Sequence, residues 1–372
     1  MEFLYGNILE LDPKMVVMWV IGGLLIYLAI KKDMEPTLLL PMGFGAILVN
    51  LPNSGAVTQG HEVGVLNVLY DAGIANELFP LLLFIGIGAM IDFGPLLQNP
   101  KLLIFGAAAQ FGIFFTLSLA TLAGFEITDA ASIAIIGAAD GPTAIFVSQW
   151  FDSQYVGAIM VAAYSYMALV PIIQPPVIKA LTTKKERAIH MAYEQGNVSK
   201  TTRILFPIVV TVLAGLVAPR SVALVGFLMF GNLIRECGVL NSLSDCAQNV
   251  LANLITIFLG ITISCQMQAD KFLNPETLMI LGLGLFAFIF DTAGGVMFAK
   301  LMNLFLPKGK KVNPMIGACG ISAFPMSSRV IAKMAIAEDK SNFILMQAAG
   351  VNVGGQVASV IAGGLILNLI AR

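Results

Sequence analysis

Along this chain long apolar stretches alternate with short polar connectors. A spanning helix needs ~20 apolar residues, and ten stretches reach or approach that: 15–30, 36–49, 78–92, 101–123, 155–178, 204–218, 221–235, 250–266, 277–305 and 342–370. Two more, 131–151 and 314–337, are apolar but interrupted in the middle, by DGPT and by ISAFPMSS. Proline and small residues there leave backbone groups unpaired, which lipid does not tolerate. Both are therefore expected as re-entrant hairpins or discontinuous helices lining a protein- or water-filled cavity. The polar stretch 50–77 fits a connector with an interfacial helix.

The two halves echo each other. Pro36 and Gly43 match Pro219 and Gly226, Phe84–Ile87 matches Phe258–Ile261, and Asn99-Pro100 matches Asn274-Pro275. Gly137-Ala138 in the first broken segment matches Gly317-Ala318 in the second. Each half holds five spans and one broken segment, and an odd span count inverts the second half. The expected architecture is an all-α polytopic membrane protein of about ten transmembrane helices plus two broken hairpins, resembling an elevator transporter. Its divisions are 1–181, a polar cytoplasmic linker at 182–203, and 204–372. Inverted repeats with paired broken segments are how secondary transporters are built, with the site at the midplane.

Composition agrees and adds an orientation. Of 372 residues 58% are hydrophobic and only 12% charged, against roughly 25% charged in soluble proteins. A net charge of −1 gives no support to nucleic-acid binding. With the N-terminus outside, 17 of the 21 Lys and Arg fall on the inner side, which satisfies the positive-inside rule and puts both termini outside. The start, MEFLYGNILELDPK, has no basic leader region. Cys237, Cys246, Cys265 and Cys319 show no metal or redox spacing and read as buried thiols. GIGAM at 86–90 has no strand before it and reads as helix packing rather than a dinucleotide loop. His61 and His190 are isolated and expected in loops.

Few ionisable groups remain at membrane depth. Asp140, in GAADGPTAIFVS, lies between two apolar runs, where a carboxylate costs at least ~2.5–3.5 kcal/mol. Its carboxylate, the Thr143 hydroxyl and the backbone disrupted by Pro142 are oxygen donors that suit a hard cation such as Na⁺; a protonated or helix-capping Asp with no transport role is the plainer alternative. The second broken segment, VNPMIGACGISAFPMSSRV, offers Asn313, Gly317, Ser322, Ser327, Ser328 and Arg329. Arg329 is the one fixed positive charge within either break, and its fork matches a carboxylate bidentately; snorkelling to the interface is its alternative. Tyr164 and Tyr166 in VAAYSYMALVP are each either a proton relay or a packed aromatic. Asn352 stands among glycines in GVNVGGQVAS, and Asp291 in IFDTAGG is another carboxylate at depth with no assigned role.

GAADGPTAIFVS, SYMALVPIIQPPVIK, NPMIGACGISAFPMSSRV and GVNVGGQVAS together closely resemble the β subunit of biotin-dependent, sodium-pumping decarboxylases, over essentially the whole chain. That family comprises the oxaloacetate, methylmalonyl-CoA and glutaconyl-CoA decarboxylase complexes. The resemblance implies that a separate carboxyltransferase subunit loads biotin on a carrier protein, beside a small single-span membrane subunit. The β subunit then decarboxylates carboxybiotin, consumes a proton and exports Na⁺ across the bacterial inner membrane. Carried over motif by motif, it implies catalytic roles for Asp140, Tyr166, Ser322 and Arg329, and carboxybiotin contacts at Arg329, Ser327 and Ser328. It implies Na⁺ ligation by Asp140, Thr143, Asn313, Gly317, Ser322 and Asn352. The chain shows no long N-terminal extension, which looks more like the acyl-CoA branch than the oxaloacetate one. A stand-alone Na⁺-coupled carboxylate symporter of similar architecture is the alternative.

Overall fold

The computed structural model describes residues 9–191 and 196–370. Residues 192–195 of the connector and the two ends, for which an outside location is expected, lie outside the described residues. Among the described residues there is no β-strand, only an isolated bridge between Gln59 and Glu62.

In chain order the principal helices are α1 Pro13–Lys32, α2 Pro36–Val49, α3 Val65–Gly73, α4 Leu78–Met90, α5 Leu102–Ala109, α6 Phe111–Leu122, α7 Ile127–Ala134 and α8 Gly141–Trp150. They continue as α9 Val156–Leu181, α10 Lys200–Val217, α11 Val222–Glu236, α12 Ala252–Ile263, α13 Pro275–Phe305, α14 Met326–Glu338 and α15 Leu345–Ile370. Local chemistry sets many of the starts. Asp12 caps α1 before Pro13, Ser199 caps α10, and Asn274 caps α13 before Pro275. A proline at the first position gives up an N–H that has no helical partner anyway.

Among the described residues seven helices are long and apolar enough to cross a membrane, and the pair α3–α4, bent by 63°, makes an eighth. The stretch 101–123 is one such span with a break at Gln110, where α5 passes into α6. Helix α12 is part of one 26-residue helical run, Asn241–Gln266; three others of the ten expected spans are shorter helices: α2 has 14 residues, α4 has 13 and α11 has 15. At 1.5 Å per residue these reach only about 20 Å of a ~30 Å core, so the full crossing includes the adjoining turns. The connector 50–77 carries α3, where an interfacial helix was expected.

Both interrupted stretches are broken as expected. In the first, α7 tightens into a 3-10 turn at Ile135–Ala138, stops at Ala139 and Asp140, and resumes as α8. In the second, a 3-10 stretch Pro314–Gly320 gives way to extended chain before α14. Backbone glycines let this second segment lie directly on its neighbours. A Cβ on Gly317 would stand 2.5 Å from the carbonyl carbon of Gly295 on α13, and one on Gly355 of α15 would stand 2.6 Å from that of Gly320.

The interior divides into two large apolar clusters. One gathers both broken segments with α13 and α15, and the other gathers α1, α2 and α12 with one face of α9. A third, small cluster lies between the breaks and α14.

Candidate functional site

The break in the first segment is held open by strain and closed by hydrogen bonds. Ala139 adopts a left-handed φ of 51°, a conformation that costs a non-glycine residue roughly 1–2 kcal/mol. It turns the chain so that Asp140 caps α8, its Oδ1 accepting from the Thr143 N–H at 3.2 Å. Capping uses only that oxygen. Oδ2 accepts from Ser322 Oγ at 2.9 Å, from Ser359 Oγ at 2.8 Å and from Gln356 Nε2 at 3.3 Å. The Ser322 N–H also donates to Ala138 O at 2.8 Å. One carboxylate, 3% exposed, therefore ties the first break, the second break and the last helix together.

Asn352 stands one turn before Gln356 on α15. Its Nδ2 donates to the carbonyls of Ile321 (2.8 Å) and Cys319 (3.2 Å), groups that the second break frees from helical pairing. Three buried oxygens of this region have no hydrogen-bond partner among the described residues: Thr143 Oγ1, Asn352 Oδ1 and the Tyr164 hydroxyl. Buried polar atoms are normally satisfied. A carboxylate amid unpartnered neutral oxygens is the donor set a small hard cation takes.

The structure brings together Asp140, Thr143, Ser322 and Asn352 of the predicted residues and separates the others. Asn313 lies at the far end of the seven-residue 3-10 stretch, about 14 Å of helical rise away. Its amide holds the linker by donating to Arg187 O (2.7 Å) and Ile189 O (3.0 Å), while its Oδ1 accepts from Met315 N. Gly317 is pressed against Gly295. Tyr166 donates to Leu281 O on α13, whereas Tyr164 lies beside the Asp140 cap: a Cβ on Gly141 would be 2.6 Å from its Cε1 and Cε2 and closer still to its Cζ. Asp291 on α13 accepts through Oδ1 from Ile113 N at 3.0 Å where α5 breaks into α6, and its Oδ2, without a hydrogen-bond partner among the described residues, faces the first broken segment, 2.7 Å from where a Cβ on Gly137 would stand. His190 pairs with Asp339 at 2.8 Å on the surface.

Two site residues escaped the sequence reading. Gln356 and Ser359 stand four and seven positions after Asn352, so all three share one helix face; that spacing in GVNVGGQVAS was the available signal. Gln174, among the prolines of α9, clamps the second segment by donating to Ala318 O at 2.8 Å and accepting from Ser327 Oγ at 2.9 Å. Nothing in its local sequence marks it.

Arg329 opens on a separate cavity of about 310 Å³, together with Lys333, Asp33, Glu35 and the prolines Pro171 and Pro175 of α9. Its exposed guanidinium has no hydrogen bond or ion pair among the described residues, so it is free to receive an anion. Glu35 is half-buried at a left-handed φ of 37°. Burial raises its pKa and the Arg329 charge pulls it back down. Ser327 and Ser328 do not line this cavity; Ser327 is spent on Gln174, and Ser328 donates to Pro325 O at 2.8 Å. The small cluster of Ala139, Phe288, Ile321, Met326 and Val330 occupies the interval from the Asp140 site to the cavity. It is an apolar plug.

Comparison with known proteins gives one consistent result. The family described as Na⁺-transporting oxaloacetate decarboxylase beta subunit matches residues 14–370. The oxaloacetate decarboxylase beta chain of Klebsiella pneumoniae is 44% identical over 422 aligned positions, covering 98% of this chain and 97% of that one. The methylmalonyl-CoA decarboxylase subunit beta of Veillonella parvula is 48% identical over 356 positions, covering 96% and 93%. That of Propionigenium modestum is 47% identical over 376 positions, covering 95% and 94%.

Proposed function

Because this chain belongs to the family of Na⁺-transporting oxaloacetate decarboxylase beta subunits, we propose that it is the membrane subunit of a sodium-pumping decarboxylase, cleaving carboxybiotin and exporting Na⁺. The observation that carries this reading is the Asp140 carboxylate, buried where both broken segments and α15 meet and held there by Ser322, Gln356 and Ser359, with the unpartnered Asn352 Oδ1 one turn before Gln356 on α15. Na⁺ is bound by Asp140 with Thr143, Ser322 and Asn352, and Ser359 and Gln356 join them. Asn313 and Gly317 act at one remove, by fixing the second segment. Tyr164 is better placed than Tyr166 to exchange a hydrogen bond with the ion-site carboxylate.

Carboxybiotin is brought by a separate carrier protein after a carboxyltransferase subunit has loaded it, and its carboxylate docks on Arg329. Cleavage breaks the bond between the ureido nitrogen and the carboxyl carbon and releases CO₂. The electron pair stays on nitrogen, which takes up a proton. Removing that anion from Arg329, across an apolar plug from Asp140, changes the field at the ion site. Na⁺ export must overcome roughly 2.3 kcal/mol per charge per 100 mV, and decarboxylation is the source. The two halves act as inverted repeats, and the division of the interior into two large apolar clusters favours a rigid-body movement of one against the other, by analogy with elevator transporters. The 422-position Klebsiella alignment exceeds the 372-residue chain by far more than the 376-position Propionigenium alignment does, and the 356-position Veillonella alignment does not exceed it. This favours an acyl-CoA donor. The complex belongs in the bacterial inner membrane, with a small single-span subunit beside this one.

Gentle purification followed by avidin blotting tests the reading, with ²²Na⁺ uptake into reconstituted vesicles on addition of the acyl-CoA substrate. A biotinylated partner and substrate-driven uptake are expected. A chain that isolates alone and carries carboxylates with Na⁺ would overturn it. Within the site, Ser359→Ala removes one hydrogen bond to a charged group, worth about 1.5 kcal/mol. The Na⁺ concentration for half-maximal decarboxylation should rise about ten-fold; an unchanged value would place Ser359 outside the ion site.

A further inference from the structure

We propose that a basic cavity at one end of the helix bundle binds the phosphate of an anionic phospholipid headgroup. The cavity, about 630 Å³, is lined by Lys101, Lys310 and Lys311, with His190 at its edge and Leu102 and Met346 among its apolar walls. No described lining residue is acidic. His190 is already engaged by Asp339. The ammonium groups of the three lysines form no ion pair or hydrogen bond with any described residue. Three like charges around one polar cavity repel one another unless an anion joins them.

Position identifies the anion's source. Lys101 immediately precedes α5, Lys310 and Lys311 follow the end of α13, and Met346 lies in the first turn of α15. The cavity therefore sits where three helix ends reach the membrane–water boundary, as basic pockets between spanning helices do when they hold lipid headgroups. At the same helix ends large apolar side chains face outward: Leu304 and Phe305, the last residues of α13, are 78% and 82% exposed, and Phe343, two positions before α15, is 71% exposed. A cationic pocket bordered by apolar surface suits a molecule with a phosphate at one end and acyl chains at the other. A free phosphate would use the lysines but not the apolar border.

The test uses the full-length protein in mild detergent, with any subunits that accompany it, and native mass spectrometry to count retained lipid. Phosphatidylglycerol should be retained about ten-fold better than phosphatidylcholine. The variant Lys101→Gln/Lys310→Gln/Lys311→Gln should lose that ten-fold preference, retaining the two lipids equally. A control variant, Lys179→Gln/Lys184→Gln/Lys185→Gln, removes as much charge elsewhere and should keep it. Equal melting temperatures of the three proteins in phosphatidylcholine would show that folding is intact. The proposal is overturned if the first variant retains phosphatidylglycerol normally, or if the control loses it equally. Displacement of the lipid by millimolar inorganic phosphate at constant ionic strength would instead assign the site to a free phosphate. Loss of a partner subunit with lipid retention unchanged would assign it to an acidic protein segment.

Discussion

Asp140→Asn should abolish Na⁺-dependent decarboxylation and Na⁺ transport together while leaving the protein folded. The amide keeps the shape and one acceptor oxygen, so the cap on Thr143 N–H survives. Its NH₂, however, meets the Gln356 Nε2 donor and the Ser322 and Ser359 hydroxyls that now donate to Oδ2. The hydroxyls can rotate to accept; the glutamine amide cannot without flipping. The lost charge matters more. An ion next to a carboxylate gains several kcal/mol even at an effective dielectric near 20, and 1.4 kcal/mol is a factor of ten, so losses of at least ~100-fold are expected in both activities. Parallel assays of CO₂ release and ²²Na⁺ uptake check this. Wild-type rates for both would remove Asp140 from the mechanism.

Gly317→Ala should damage stability and activity far more than its size suggests. The added methyl would lie 2.5 Å from the Gly295 carbonyl carbon and closer still to its oxygen. Neither is the end of a flexible side chain, so the second broken segment must move off α13. Overpacking of this kind costs about 1–3 kcal/mol, and the shift carries Ser322, five residues on, away from Asp140. The melting temperature should fall by several degrees and decarboxylation about ten-fold or more. Gly282→Ala on the same helix α13 is the control, since its Cβ would meet nothing within 4 Å. There the substitution should be neutral or slightly stabilising. If Gly317→Ala behaved like the control, the close backbone packing would not matter to the pump.

What could be read in advance divides along physical lines. The breaks at DGPT and ISAFPMSS were legible because proline and small residues disturb a helix locally, whatever surrounds it. Asp140 was legible because a carboxylate between two apolar runs is costly wherever the helices go. Gln174 was not, because a glutamine near a helix end is ordinary until the fold puts Ala318 and Ser327 within its reach. The same limit applied to the tyrosines: Tyr164 and Tyr166 are two positions apart on one helix, so they face different ways, and only packing decides which one meets Asp140.

By itself the sequence determined the membrane class, the positions of the two breaks, the family, and the scarce charged groups that a cation pump needs. Hydropathy, backbone-breaking residues and desolvation cost all act over a few neighbouring residues, so they are written in the order of the chain. The tertiary structure alone decided which oxygens surround Asp140. It sent Asn313 to the linker, set Gly317 against Gly295, and brought Ser322 and Ser359, 182 and 219 positions from Asp140, onto a single carboxylate oxygen. Such contacts depend on how helices separated by most of the chain cross and pack, and no local pattern encodes that geometry.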